Sequence, residues 1–361
     1  MKVDFSRYDL QGFLQKEVSF CGIENCVLVT PQAFDSTFTQ NNKIFRSSIW
    51  DSKGDLLSAG FPKFKNAGED PENFPVPKSL DGCQILTKAD GSLCIVDFYN
   101  DKFNARTRGT ANYRSLENSN DFEVCFKKYP KVEEFISANS GLSLLFEITS
   151  PNQMIVLDYG AEPDLILIGA IDKKDYSLLT QESLDEISKE IGVSRPEYHE
   201  FKSFDELYYF CKSKEDMEGF CIYSDRGQHI VKVKTDWYLR IHRLKSRMAS
   251  PKRVLEFYVN SGCPSYTEAY NLIETTIDYE VAERCKEDLS AICWAWSEAQ
   301  KRLGEIEAEM DKLAVKTSDR SEQARYVFEN FDKEERGLAF RSLDKGELKT
   351  KAVIKLIESN L

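Results

Sequence analysis

Apolar positions repeat with two different spacings along this chain, and the change falls near residue 245. Before it, short aliphatic and β-branched runs are punctuated by turn residues, which predicts strands and hairpins. Residues 93–99 and 103–107 flank Asn100-Asp101, a pair suited to a hairpin turn. Residues 220–223 and 229–234 flank Asp225-Arg226-Gly227 in the same way. Runs at 142–148, 154–159 and 165–171 read as buried strands, because such side chains pack well on a pleated surface. Residues 121–138 and 184–191 predict helices, and the proline-rich stretch 60–77 predicts a loop.

After the change, Leu289, Ile292, Trp296, Ala299, Leu303, Ile306, Met310 and Leu313 fall three and four apart. That is one apolar stripe, a packing seam on a long helix over 277–315, and a last helix is expected over 349–359. The predicted fold class is α+β. A domain of residues 1–244 with largely antiparallel sheets precedes an all-helical domain of residues 245–361.

Composition narrows the setting. Hydrophobic residues make up 41% and charged residues 30%, a balance that buries a core in water. No apolar run approaches the roughly 20 residues that span a bilayer. The start, Met1-Lys2-Val3-Asp4-Phe5-Ser6-Arg7, has no apolar stretch of the secretory kind. The expectation is a monomer in the reducing cytoplasm, the host's if the chain is phage-encoded, with no membrane partner. Ten cysteines include no Cys-x-x-Cys and read as reduced core thiols. With only three histidines, His199, His229 and His242, zinc and histidine-centred acid–base chemistry are disfavoured.

Net charge is −12, which argues against a polyanionic partner until its distribution is read. From Arg226 to Arg253 there are nine Lys or Arg residues and one acid, Asp236. A basic stripe on an acidic body suits a protein that grips phosphates in one place. A solvated basic helix face would carry the same charges.

Candidate chemistry begins at Lys88-Ala89-Asp90-Gly91-Ser92, just before the strand that starts at Leu93. Alone, a lysine before Asp-Gly is ordinary turn chemistry. Other elements follow in order: Arg106-Thr107-Arg108-Gly109-Thr110, Phe146-Glu147-Ile148, Glu218-Gly219-Phe220 and Lys232-Val233-Lys234-Thr235-Asp236-Trp237-Tyr238. A free lysine titrates near about 10.4 and is a poor nucleophile until burial or neighbouring positive charge lowers its pKa. Lys232 and Lys234 are two apart on one strand and point to one face, an arrangement that also suits a solvated strand. Glu147 interrupts an apolar run, where an unpaired carboxylate would cost several kcal/mol, so it needs a partner, for which an arginine would serve.

Together these segments resemble the ordered motifs of covalent nucleotidyltransferases, and within them the RNA ligase 1 family of bacteriophages. The likeness is carried by residues 86–93, by Pro151-Asn152-Gln153-Met154-Ile155-Val156-Leu157, and by residues 232–238 trailed by His242 and Lys245-Ser246. It spans about residues 40–250, and the helical tail matches in length and class only.

The resemblance implies that Lys88 takes AMP from ATP and passes it to RNA, joining 5′-phosphate and 3′-hydroxyl ends, with repair of broken tRNA as the expected setting. It places Lys232 and Lys234 against the α-phosphate, and Glu147 and Glu218 on magnesium or its waters, with Glu147 also near the ribose. Arg46 and Lys63, with Lys65 competing, resemble the residues that handle the triphosphate tail. Arg106 and Arg108 stand where the family often has lysines; either could serve a phosphate or be an exposed strand arginine. Asp90, Gly91 and Tyr238 complete the expected nucleotide contacts, with Phe146 and Tyr238 as candidates for stacking on adenine. The enzyme rivals, a DNA ligase or capping guanylyltransferase, usually follow the paired lysines with a small β-barrel, where this chain has helical periodicity. A non-catalytic RNA-binding protein with the same fold is the rival of a different class.

Overall fold

A computed structural model describes residues 1–32, 37–247, 250–262, 265–276, 282, 285–344 and 357. The chain divides into two compact units, Met1–Arg240 and Ile241–Leu361.

Strands fill the first unit. A four-stranded sheet runs in chain order through β1 (Phe13–Phe20), β2 (Ile23–Pro31), β3 (Ser48–Trp50) and β4 (Leu56–Ala59). Then come β5 (Lys65–Asn66), β6 (Gln84–Thr87), β7 (Ser92–Tyr99), β8 (Lys102–Arg106) and β9 (Leu142–Thr149). The rest are β10 (Asp164–Asp172), β11 (Ser177–Leu178), β12 (Tyr198–His199), β13 (Gly219–Ser224) and β14 (His229–Lys234). A second sheet has the order β11-β10-β9-β7-β8 and a third β12-β6-β13-β14-β5. Pairing is antiparallel as expected, apart from β14 with β5 and one isolated bridge.

Both predicted hairpins form. Asn100 and Asp101 take positive φ of 52° and 54° between β7 and β8, a conformation that Asn and Asp tolerate. The β13–β14 ladder pairs Cys221 with Lys232 and Gly219 with Lys234.

Four helices of this unit are α1 (Ser119–Lys128), α2 (Lys131–Ala138), α3 (Gln181–Ile191) and α4 (Phe204–Ser213). The single helix expected over 121–138 is broken between α1 and α2, where Pro130 follows the end of α1. Phe122, Cys125, Val132, Ile136, Leu184 and Ile187 cover one face of the second sheet, packing on Cys94, Val96, Leu144 and Phe146. Leu207 and Cys211 of α4 cover one face of the third, on Ile85, Phe220, Ile222, Val231 and Val233. Strand alternation turns Leu86, Cys221, Tyr223 and Ile95 the other way, into a cluster shared by all three sheets. The candidate chemistry lies on this inner side.

Residues 154–159 do not form the expected strand. The N–H groups of Val156 and Leu157 go to the Asp90 carboxylate, at 2.8 and 2.9 Å, instead of to a ladder.

The remaining helices are α5 (Asp236–Arg247), α6 (Pro251–Asn260), α7 (Tyr266–Thr276), α8 (Lys286–Lys316), α9 (Arg320–Asn330) and α10 (Lys333–Leu343). The predicted stripe on α8 is buried, with Trp296 partly so, against Val254, Leu255 and Tyr258 of α6 and Leu338 and Ala339 of α10. The start expected for this helix at 277 and nearly all of the helix expected at 349–359 lie outside the described residues. No helix among the described residues is long and apolar enough to cross a membrane.

Candidate active site

Lys88 follows β6 directly, and its backbone N–H donates to Gly219 O at 2.8 Å. Gly219 has φ +142°, and a Cβ there would lie 2.0 Å from Val233 O, so only glycine allows this close crossing. The crossing sets the preceding residue, Glu218, between two lysines. Its Oε2 is 2.8 Å from Lys88 Nζ and its Oε1 2.8 Å from Lys234 Nζ. The glutamate side chain is 2% exposed, the lysines 21% and 19%. The sites of two separate sequence motifs thus meet on one buried carboxylate.

Asp90 and Gly91 brace this meeting point. Tyr238 OH donates to Asp90 Oδ1 at 2.7 Å, while Asp90 Oδ2 takes the two backbone N–H groups of Val156 and Leu157. Gly91 N–H donates to Glu147 Oε1 at 3.0 Å, and a Cβ at Gly91 would lie 2.4 Å from Ile148 O. Lys234 Nζ sits 4.6 Å from the Tyr238 ring centroid. Asp90 N–H donates to Tyr159 OH at 2.9 Å, a contact the sequence did not suggest.

Positive charge extends from here. Lys232 Nζ and Arg46 Cζ each lie 5.6 Å from the centroid of Phe64. Burial, then Lys234, Lys88, Arg46 and Lys63, push the Lys232 amine down to about 8. Arg46 falls to about 10 through burial and then Arg108. The Lys63 amine is also lowered, by burial and then by Arg46. Such crowding of desolvated cations raises the local preference for a polyanion. Arg108 itself is exposed.

Three expectations need correction. Burial does push the Lys88 amine down, but Glu218 and Glu147 outweigh it, and the ammonium is held above the ordinary lysine range. Phe146 is fully buried in the core over α1 to α3, on the face opposite Glu147, so it cannot stack on a base beside Glu147 and Lys88. Arg106 is fully buried too. Its guanidinium donates to Ser58 Oγ at 2.7 Å, Ser47 Oγ at 2.8 Å and Ser47 O at 3.1 Å, and is neither an exposed strand arginine nor free for phosphate. A strand-end Arg between Ala105 and Thr107 carried no signal that would have separated these cases.

Burial first, with Glu218 and Asp90 adding to it against Lys88, raises the Glu147 carboxyl to about 7. Glu147 and Glu218 are therefore close enough to repel. Among the described residues no group of three or more His, Cys, Asp or Glu forms a ready metal cage. Two neighbouring carboxylates fit magnesium, which takes carboxylate oxygens and keeps waters as its other ligands.

Lysines thus converge on a buried glutamate, and further cations lead away from it. The chain belongs to the RNA ligase family of the phage RNA ligase 1 type, whose profile matches residues 38–242. A bifunctional polynucleotide kinase/RNA ligase of Autographa californica nuclear polyhedrosis virus is 24% identical over 228 residues, 57% of this chain. The chain spans about a third (31%) of the length of that curated relative. Among solved structures, an archaeal ATP-dependent RNA ligase covers 84% of this chain and 77% of its own, at 13% identity and a TM-score of 0.49. A Naegleria gruberi RNA ligase with AMP and Mn covers 67% and 84%, at 15% identity and 0.40.

Proposed function

We propose that this protein is an ATP-dependent RNA ligase that carries AMP on Lys88. The observation that supports this most is the Lys88–Glu218–Lys234 bridge, an amine held at a buried carboxylate among further cations. In the first step Lys88 Nζ, having lost its proton, attacks the α-phosphorus of ATP and pyrophosphate leaves. AMP then passes to an RNA 5′-phosphate, and the RNA 3′-hydroxyl attacks that phosphate and expels AMP. Lys232 and Lys234 face the α-phosphate, where charge builds in the displacement. Arg46, Lys63 and Arg108 take the triphosphate tail.

Proton loss from Lys88 requires Glu218 to exchange that partner for other positive charge. Magnesium held by Glu147 and Glu218 would supply it, along with charge against the phosphate oxygens. Glu147, raised to about 7, becomes a competent carboxylate only as pH passes neutrality. Broken tRNA is the proposed substrate by likeness of family. Residues 1–244 act as the adenylyltransferase domain, and an all-helical domain of residues 245–361 follows. The basic run Arg240–Arg253, offered to RNA backbone, includes residues 248 and 249, which lie outside the described residues.

Incubation with α-labelled ATP and magnesium, beside Lys88→Ala, tests this reading. Wild type should take up label and the variant none. No labelling of wild type would favour a non-catalytic RNA-binding protein, and equal labelling of the variant would take the AMP off Lys88; either result overturns the reading.

A further inference from the structure

Arg46 lies two residues before β3 and Arg108 two residues after β8, yet Ser47 ties their backbones together and the charge of Arg108 lowers Arg46; neither has an ion pair among the described residues. Two like charges do not approach unaided; the fold must hold them. The holder is a file of hydrogen bonds in the fully buried interior. Ser58 Oγ donates to Asp97 Oδ2 at 2.5 Å and accepts Arg106 Nε–H at 2.7 Å. Arg106 Nη1 donates to Ser47 Oγ at 2.8 Å, and Ser47 Oγ donates onward to Arg108 O at 2.9 Å. Arg106 Nη2 also grips Ser47 O at 3.1 Å, a carbonyl that takes Gly60 N–H at 2.7 Å as well. Ser47 follows Arg46 directly, so one end of the file is anchored on Asp97 and the other ties together the backbone that carries the two arginines.

The same segment is fixed from its other side. Tyr176 OH lies 2.8 Å from Ile44 O and 2.9 Å from Gly60 O. A Cβ at Gly60 would lie 2.7 Å from Ser47 O. The Arg46 backbone has little freedom to retreat from Arg108.

Resting on the ligase reading above, we propose that Arg106 and Ser47 are positioning residues. They form a buried clasp that presents Arg46 and Arg108 as a preset pair to the β- and γ-phosphates of ATP. The charge repulsion stored in the pair is relieved when the tail binds, which is how preorganisation favours a polyanion. The clasp matters only while the tail is present. Once AMP is on the RNA 5′-phosphate, the pyrophosphate has gone and the pair has no role.

That division gives the test. Ser47→Ala removes the hydroxyl between Arg106 and Arg108, and Arg106→Lys keeps charge but loses the fork. Two rates are measured for each: lysyl-AMP formation against ATP concentration, and sealing of RNA already bearing a 5′-adenylyl group. The expected result is a KM for ATP raised about 10-fold, a 1.4 kcal/mol change, with sealing of adenylylated RNA within about twofold. Slower pyrophosphate-driven release of ATP from the lysyl-AMP enzyme should accompany it. Equal loss in both rates means a merely structural role, and an unchanged KM means no clasp; either overturns the proposal. If Ser47→Ala does not fold, Arg106→Lys gives the same readout. Failure of the ligase reading looks different: wild type then neither forms lysyl-AMP nor seals adenylylated RNA.

Discussion

Two buried ionic groups in the first unit follow opposite rules. Around Asp97, the charges of Arg106 and Lys173 and the hydroxyls of Ser58 and Ser143 are internal, with Lys173 Nζ 3.6 Å from the carboxylate. Around Glu218, one carboxylate serves two lysines that remain about a fifth exposed, Lys232, Arg46 and Lys63 add positive charge, and Glu147 and Asp90 are the acids beside it. A closed network has nothing left to offer a ligand and acts as architecture. A network with surplus positive charge and an opening is unsatisfied until an anion arrives. That difference, more than burial or pKa alone, separates frame from site.

The contrast can be broken in several ways. The largest effect is expected from Lys88→Ala, with complete loss of AMP uptake in a labelled-ATP assay and a thermal midpoint within a few degrees of wild type. Glu218→Gln should lower the rate of lysyl-AMP formation about a hundredfold, the scale seen when one preorganised charge partner is removed. On the Asp97 side the sign of the contrast reverses. Lys173→Met should cost about 3 kcal/mol in urea unfolding, because Asp97 keeps a buried charge with one partner fewer. AMP uptake per folded molecule should stay within about twofold.

The smallest effect concerns pH. Below about 7 Glu147 is protonated and cannot hold a cation, so kcat/KM for ATP should rise through that value. Above about 8 Lys232 loses its charge, so activity should fall again. Lys232→Arg should move the falling limb upward; an unmoved limb would assign it to another group.

Much of this was legible in the sequence where periodicity or motif order carried it. The hairpin at Asn100-Asp101, the seam on α8 and the meeting of Lys88, Glu218 and Lys234 follow from alternation, turn chemistry and segments that resemble one family. Long-range hydrogen bonding was not legible. Residues 154–159 have the composition of a strand, but Asp90, 66 residues earlier, captures the N–H of Val156. Arg106 reads like Arg108 in the chain; Ser47 and Ser58, 59 and 48 residues away, decide that it is frame. The Lys88 charge state depends on Glu218, 130 residues further on, so the pairing of a carboxylate reversed the expected direction.

The central claim is tested most directly by peptide mapping of the protein after incubation with ATP and magnesium, read by mass spectrometry. The account predicts one added AMP, confined to the peptide containing Lys88 and released by pyrophosphate. AMP found on Lys232, Lys234 or any other residue, with Lys88 unmodified, would contradict it.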